Sequence, residues 1–82
     1  MPNITIYDLG EQWIDQYTVL FHDTHDAYTM STNADQPNGF CQYADYEENL
    51  QYAVKKGAPT VAYDALPKGT RRQIENLLKR WA

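Results

Sequence analysis

The sequence predicts an α+β fold: an antiparallel sheet of three to four strands, a short middle helix and a C-terminal amphipathic helix, in the order β-β-β-α-β-α. Three observations predict it. The N-terminal half alternates apolar and polar residues with the period of strands. Two later segments have helical spacing and helix-end signals. The composition, 43% hydrophobic and 22% charged, is that of a globular chain. Residues 1–82 are expected to form a single domain, because so short a chain supports one thin core.

The first three strands are predicted from their alternation of side chains. Asn3–Asp8 is the first strand, with its two isoleucines on one face. Trp13–His22 has the strongest signal, because nearly all its central residues are β-branched or aromatic. The segment from His22 to Asp26 is polar and is predicted to be a turn, after which Ala27–Ser31 returns as the third strand.

The middle helix is predicted from its end signals. A polar loop, Thr32–Gly39, precedes it, and Asp45 stands as N-cap three residues before Glu48 in a variant of the capping box. The helix is predicted to end at Lys56, because Gly57 occupies the position after the last turn that favours glycine. Its predicted apolar face consists of Leu50, Ala53 and Val54.

The last two elements are a strand and a longer helix. Thr60–Tyr63 is predicted to be the fourth strand of the sheet. The final helix is predicted to begin near Pro67, with Thr70 as an alternative cap that would pair with Gln73. One apolar stripe of this helix is expected to pack on the sheet, and it consists of Ile74, Leu77, Leu78 and Trp81.

Charge is divided unevenly along the chain. Residues 1–54 hold nine acidic residues and no Lys or Arg, whereas residues 55–82 hold all seven basic residues and two acidic ones. The formal net charge of −4 is therefore −9 followed by +5. Surfaces built only for solubility mix both signs, so this pattern favours an acidic surface that steers a basic partner, although a solvated face remains an alternative. We expect that partner to be a host protein with a basic nucleic-acid-binding surface.

The candidate partner-binding residues are the acidic side chains of the turns and of the first helix, with two residues of the polar loop and its exit. They are Asp15, Asp23, Asp26, Asn33, Asp35, Tyr43, Asp45, Glu47 and Glu48.

The alternative function is a nucleic-acid-binding module, in which the contacts come from the basic face of the last helix. That face consists of Lys68, Arg71, Arg72, Lys79 and Arg80. The sequence pI near 4.8 disfavours this alternative, since nucleic-acid-binding domains are usually basic. A homodimer joining the acidic surface of one copy to the basic helix of another is a further possibility.

Catalysis, cofactors and metals are not predicted. His22 and His25 flank a turn that also holds Asp23 and Asp26, but no further ligand set with metal spacing accompanies them, so a polar turn is the better interpretation. Cys41 is the single cysteine and has no recognisable catalytic partner. No apolar N-terminal run or long apolar stretch is present, so we expect neither secretion nor membrane spanning, and the cytoplasm of a bacterial host is the expected location.

Two linked motifs carry a resemblance to a protein family. Tyr28-x-Met30-Ser31-x-Asn33 is followed after a short polar loop by Pro37-x-Gly39-Phe40-x-Gln42-Tyr43. Asp15-x-Tyr17-Thr18 and the pair Leu66-Pro67 add to the pattern. In these motifs the chain resembles small proteins of bacteria, phages and plasmids. The resemblance implies a mobile-element setting and a role for the segment from Ser31 to Tyr43. An anti-CRISPR or other anti-defence inhibitor is the concrete function that we expect from this setting together with the acidic charge.

Overall fold

The computed structural model describes residues 3–81 and has the predicted α+β class. Four antiparallel strands form one sheet in the order β1-β2-β3-β4, and two α-helices pack on it. The elements are β1 (Ile4–Asp8), β2 (Tyr17–Phe21), β3 (Asp26–Met30), β4 (Cys41–Ala44), α1 (Tyr46–Lys56), a 3₁₀ turn (Tyr63–Ala65) and α2 (Lys68–Arg80). Because each strand pairs with the next one in sequence, the sheet is a simple meander.

The two helices lie on opposite faces of the sheet. Side chains alternate between the faces along a strand, yet all five residues of β2 are buried, so both faces are covered. On one face Val19 and Met30 belong to the same hydrophobic cluster as Ile74 and Leu77 of α2. Leu78 and Trp81 pack against this cluster, so the stripe predicted for the last helix is confirmed. On the other face α1 packs against β2 and β3, and Ala53 is its fully buried residue.

Helix α1 begins and ends where its signals predict. The Asp45 carboxylate accepts a hydrogen bond from the Glu48 backbone N–H at 3.2 Å. Gly57 ends the helix with φ of 69° and donates to the Val54 carbonyl at 3.0 Å. The predicted apolar face is only partly correct, because Val54 is 60% exposed. Leu50 is half-buried beside the buried Ala53, so the contact face is narrower than predicted.

The predicted fourth strand is wrong. Thr60–Tyr63 forms one isolated bridge, Thr60 to Tyr7, beside two backbone hydrogen bonds to the outer edge of β1. Asp8 donates to the Pro59 carbonyl and Val61 donates to the Ile6 carbonyl, both at 2.9 Å. The pairing stops there because the chain turns into the 3₁₀ turn at Tyr63. The fourth strand is instead β4, which pairs with β3 from Met30–Cys41 to Ala27–Ala44.

Two other predicted boundaries change. The second strand begins at Tyr17 rather than Trp13, because residues 11–15 form turns and a bend between β1 and β2. Helix α2 begins after Pro67 as first predicted, so the alternative cap at Thr70 is wrong. Thr70 is fully buried, and its Oγ1 donates to the Ser31 carbonyl at 2.8 Å. Neither helix within residues 3–81 has the length and apolar character needed to cross a membrane.

A candidate protein-binding site at one end of the sheet

Five carboxylates lie at the same end of the sheet, which we call the acidic end. They belong to Asp23, Asp26, Asp45, Glu47 and Glu48. The topology brings them together, because Ala44 at the end of β4 pairs with Ala27 at the start of β3. The β2–β3 turn and the N-terminus of α1 therefore lie side by side. Negative side chains in the first turn of a helix also interact favourably with the helix dipole, which helps this end tolerate their repulsion.

Aromatic and imidazole rings give the acidic end a fixed scaffold. Hydrogen bonds join Thr5 Oγ1 to His22 Nε2 at 2.7 Å and His22 Nδ1 to Tyr46 Oη at 2.6 Å. The His25 ring stacks on the Tyr46 ring with centroids 3.9 Å apart, and its Nε2 lies 3.3 Å from the Glu47 carboxylate. His25 also has a φ of 57°, in the left-handed region that non-glycine residues seldom occupy. The turn is thus held in a defined shape by contacts from β1 and α1.

A shallow groove of about 440 Å³ crosses the acidic end. Its lining consists of His25, Tyr43, Ala44, Asp45, Tyr46 and Glu47. Tyr43 is 61% exposed, and its hydroxyl donates to the Asp26 carboxylate at 3.0 Å. That hydrogen bond and the charge of Asp26 raise the pKa of Tyr43 above its usual value. The groove therefore offers a positioned aromatic ring within a negative rim.

The carboxylates of the acidic end have no close Lys or Arg side chain within residues 3–81. Within residues 3–81, none of its five carboxylates forms an ion pair with Lys or Arg, and Glu47 has only the exposed His25 beside it. Unpaired like charges on a fixed scaffold repel one another and attract a positive surface. This arrangement can bind a basic partner, because the partner's cations would supply the ion pairs with Lys or Arg that these carboxylates do not form within residues 3–81.

The other predicted partner-binding residues lie elsewhere. Asp15 is in the connection between β1 and β2, at the opposite end of the sheet. Asp35 lies beside α2, where its carboxylate is 3.6 Å from Arg72 and its side chain is only 10% exposed. Asn33 is used inside its own loop, where it accepts from Ser31 Oγ at 2.8 Å. The acidic end thus contains the five grouped carboxylates together with Tyr43, and the other three residues have separate environments.

The basic residues predicted for nucleic-acid binding form two separate groups on α2. Lys68, Arg71 and Arg72 are within its first five residues, whereas Lys79 and Arg80 are in its last turn. About 10 Å of helix separates Arg72 from Lys79. In the first group Arg72 lies near Asp35, and Glu75 lines the same depression as the three cations. This basic surface is therefore interrupted by acidic side chains.

Sequence reasoning missed two features. Tyr46 and His22 fix the position of His25, but their pairing depends on the packing of α1 on β2 and has no local sequence signal. An aromatic cluster at the opposite end places Lys56 Nζ 5.2 Å from the Trp13 ring centroid and 5.4 Å from that of Tyr52. Within residues 3–81 no group of three or more His, Cys, Asp or Glu side chains is arranged to hold a metal ion.

Comparison of the chain with protein-family models, with curated proteins and with solved structures finds no match.

Proposed function

We propose that this protein binds a host protein through the acidic end and blocks the partner's basic, nucleic-acid-binding surface. The observation that carries the proposal is the group of five carboxylates at one end of the sheet, which within residues 3–81 have no Lys or Arg partner. Two of them, Asp45 and Glu47, line a groove that also has the exposed Tyr43. Tyrosine is enriched among the residues that dominate binding energy at protein interfaces. A negative rim around it raises the association rate with a positive surface and selects against acidic partners.

The concrete form of this function is an anti-CRISPR or other anti-defence inhibitor. A protein that holds nucleic acid in a positive channel has the surface that the acidic end complements. Occupying that channel inhibits without catalysis, cofactor or metal. The resemblance in the segment from Met30 to Tyr43 to proteins of phages and plasmids supports the same setting, because such elements encounter host nucleic-acid-handling complexes.

The test compares two triple variants with equal charge change. The first variant removes three charges from the acidic end and keeps the Asp45 cap; it combines Asp23→Asn, Glu47→Gln and Glu48→Gln. Glu11→Gln, Asp15→Asn and Asp64→Asn remove three charges elsewhere. Each tagged protein is used to capture partners from a bacterial lysate at low and high salt, and competitor single-stranded DNA is added to a parallel sample. We expect the acidic-end variant to lose capture by about tenfold or more while the control keeps it.

Rising salt and added DNA should both reduce capture by the unmodified protein, since screening weakens exposed charge pairs and DNA occupies the same partner surface. Equal capture by the two triple variants would show that the acidic end is not the contact surface. Failure to recover any nucleic-acid-handling protein at low salt would contradict the proposal as a whole. Circular dichroism of both variants checks that they are folded.

The second candidate function is nucleic-acid binding through the N-terminal part of α2, which the grouping of Lys68, Arg71 and Arg72 favours. A gel-shift experiment with single- and double-stranded DNA and RNA separates the candidates. Direct binding that is lost in Arg71→Glu with Arg72→Glu supports the second function. Direct binding should be absent if the acidic end is the functional surface, because the net charge of −4 repels phosphate.

A further inference from the structure

The two edge strands of the sheet differ in whether another segment of the chain pairs with them. The outer edge of β1 is covered, because Pro59 and Val61 exchange hydrogen bonds with Asp8 and Ile6. Within residues 3–81 the outer edge of β4 pairs with no segment of the chain. Proteins usually protect an open edge with lysine, proline or a bulge. The sequence Cys41-Gln42-Tyr43-Ala44 has neither a charge nor a proline, so this edge is free to pair with another strand.

The register shows which backbone groups of β4 point outward. Ser31 N–H donates to the Phe40 carbonyl at 2.9 Å, so the pair Ser31–Phe40 is hydrogen-bonded. Hydrogen-bonded and non-hydrogen-bonded pairs alternate along an antiparallel ladder. Gln42 and Ala44 therefore direct their backbone groups toward β3, whereas Cys41 and Tyr43 direct theirs away from the sheet.

We propose that β4 pairs antiparallel with β4 of a second copy of this chain, with a two-fold axis at Gln42, to give a continuous eight-stranded sheet. In this register Cys41 of each copy faces Tyr43 of the other. Both outward-pointing residues of each strand then form hydrogen-bonded pairs, four bonds in all by the antiparallel pattern. The proposal goes beyond the function proposed above and does not depend on it.

The charges beside β4 complement one another in this arrangement. At one end Asp26 and Asp45 act on the Tyr43 hydroxyl, and both raise its pKa. At the other end burial raises the pKa of the Cys41 thiol, while a hydrogen bond with Gln73 and the charge of Arg80 oppose the rise. The edge thus has a negative Tyr43 end, and the positive charge of Arg80 acts on its Cys41 end. An antiparallel second copy brings the Cys41 end of one strand to the Tyr43 end of the other, so unlike charges approach one another twice. A parallel second copy would instead bring like charges together.

The two-fold axis at Gln42 makes a specific prediction for cross-linking. Gln42 faces Gln42 of the second copy as a non-hydrogen-bonded pair, in which Cα atoms are about 4.5 Å apart. This separation is within the range that a disulfide spans. The two Cys41 residues are diagonal neighbours, about 7–8 Å apart, which is beyond that range. Gln42→Cys in a Cys41→Ser background should therefore give a disulfide-linked dimer under mild oxidation, whereas the native chain should not.

The experiment uses sedimentation over a concentration series together with non-reducing gels. Gln51→Cys, on the exposed face of α1 in the same Cys41→Ser background, is the matched control and should not cross-link. Tyr43→Pro removes an outward N–H and leaves the β3–β4 ladder intact, so we expect its dimer dissociation constant to rise tenfold or more. Tyr43→Ala controls for loss of the ring because it keeps the N–H, and its dissociation constant should rise less. Circular dichroism confirms that each variant is folded.

A chain that remains monomeric at every concentration, with no cross-link through Gln42→Cys, overturns the proposal. So does equal cross-linking by Gln51→Cys, or a dimer that Tyr43→Pro does not weaken. If the edge takes a strand from a different protein, the purified chain stays monomeric and Gln42→Cys cross-links only in lysate, which also overturns self-pairing.

Discussion

The β2–β3 turn and the loop between β3 and β4 have similar polar composition but opposite roles in the structure. The loop uses its polar groups internally: Phe40 N–H donates to Ser31 Oγ at 2.8 Å, and Gln36 N–H donates to the Asn33 carbonyl at 2.9 Å. In the turn, Asp23 accepts one side-chain hydrogen bond from within residues 3–81, that of Asn3 at 3.2 Å. The loop thus stabilises the fold, whereas the turn leaves its charges available.

Helix α2 explains much of this difference. It supplies the loop with Thr70, which donates to Ser31, and with Arg72, which lies beside Asp35. Near the turn, the side chains from α1 are themselves acidic, and Tyr46 binds His22 rather than a carboxylate. Composition alone cannot distinguish two such loops, because their roles depend on the donors that tertiary packing brings to them.

The largest effect is expected where the loop is most tightly closed. A Cβ added at Gly39 would lie inside van der Waals contact with the Asn33 carbonyl oxygen and 2.7 Å from its carbon. Gly39→Ala should therefore lower the free energy of unfolding by about 3 kcal/mol or more. Gly57→Ala is the control, because nothing lies within 4 Å of its added Cβ and only its φ of 69° is unfavourable. Its expected cost is about 1 kcal/mol. Urea unfolding measures both, and equal costs would show that the loop opens easily.

Thr70 connects this loop to α2 and gives the next largest effect. Thr70→Val removes the buried hydroxyl that donates to the Ser31 carbonyl. We expect the free energy of unfolding to fall by about 1–2 kcal/mol, because the carbonyl loses this hydrogen bond. Thr18→Val makes the same change at a buried Oγ1 that has no hydrogen-bond partner in the described part of the chain. It should be neutral or stabilising, because it removes an unsatisfied polar group. A similar loss in both variants in thermal unfolding would contradict the role assigned to the Thr70 hydrogen bond.

Asp35 in the β3–β4 loop and Asp23 in the β2–β3 turn can be compared directly. Asp35→Asn weakens the contact with Arg72, and because Arg72 is 55% exposed we expect a loss of only about 0.5–1 kcal/mol. Asp23→Asn should change the free energy of unfolding by less than about 0.5 kcal/mol. High salt should reduce the difference in unfolding free energy between the two variants, because it screens the Asp35–Arg72 pair. A larger cost for Asp23→Asn would mean that the turn, not the loop, stabilises the fold.

Much of the fold could be predicted from the sequence because its signals are local. The Asp45 cap, the Gly57 end and the stripe of α2 depend on residues within a few turns of one another. The fourth strand could not be predicted in this way. β4 has weaker strand propensity than Thr60–Tyr63. Whether either segment forms a strand depends on the sheet edge that lies beside it in the fold.

The candidate site could be predicted only in part, for the same reason. Asp23 and Asp26 share a turn, and Glu47 and Glu48 share a helix start, so each pair was evident. Bringing the pairs together requires the β3–β4 pairing that the sequence did not indicate. Asp35 has no sequence signal that separates it from the other acidic residues, because its position beside Arg72 depends on a contact across 37 residues.

The smallest expected effect tests whether the turn communicates with β4. Asp26 holds the pKa of Tyr43 above its usual value, chiefly by accepting its hydrogen bond and then by its charge. A raised pKa in the folded state means that the folded protein holds the proton more tightly than the unfolded chain. The resulting stabilisation is present below the unfolded pKa of about 10 and is lost as pH rises through the folded value. Asp26→Asn should therefore lower the Tyr43 pKa toward its usual value, as followed by the NMR signal of a Tyr43 ring carbon.

Tyr63 is the internal control, because burial is the main cause of its raised pKa and Glu75 accepts its hydrogen bond. If the Tyr43 signal does not move while Tyr63 also stays unchanged, Asp26 does not act on the exposed ring, and its hydrogen bond does not couple the turn to the open edge strand.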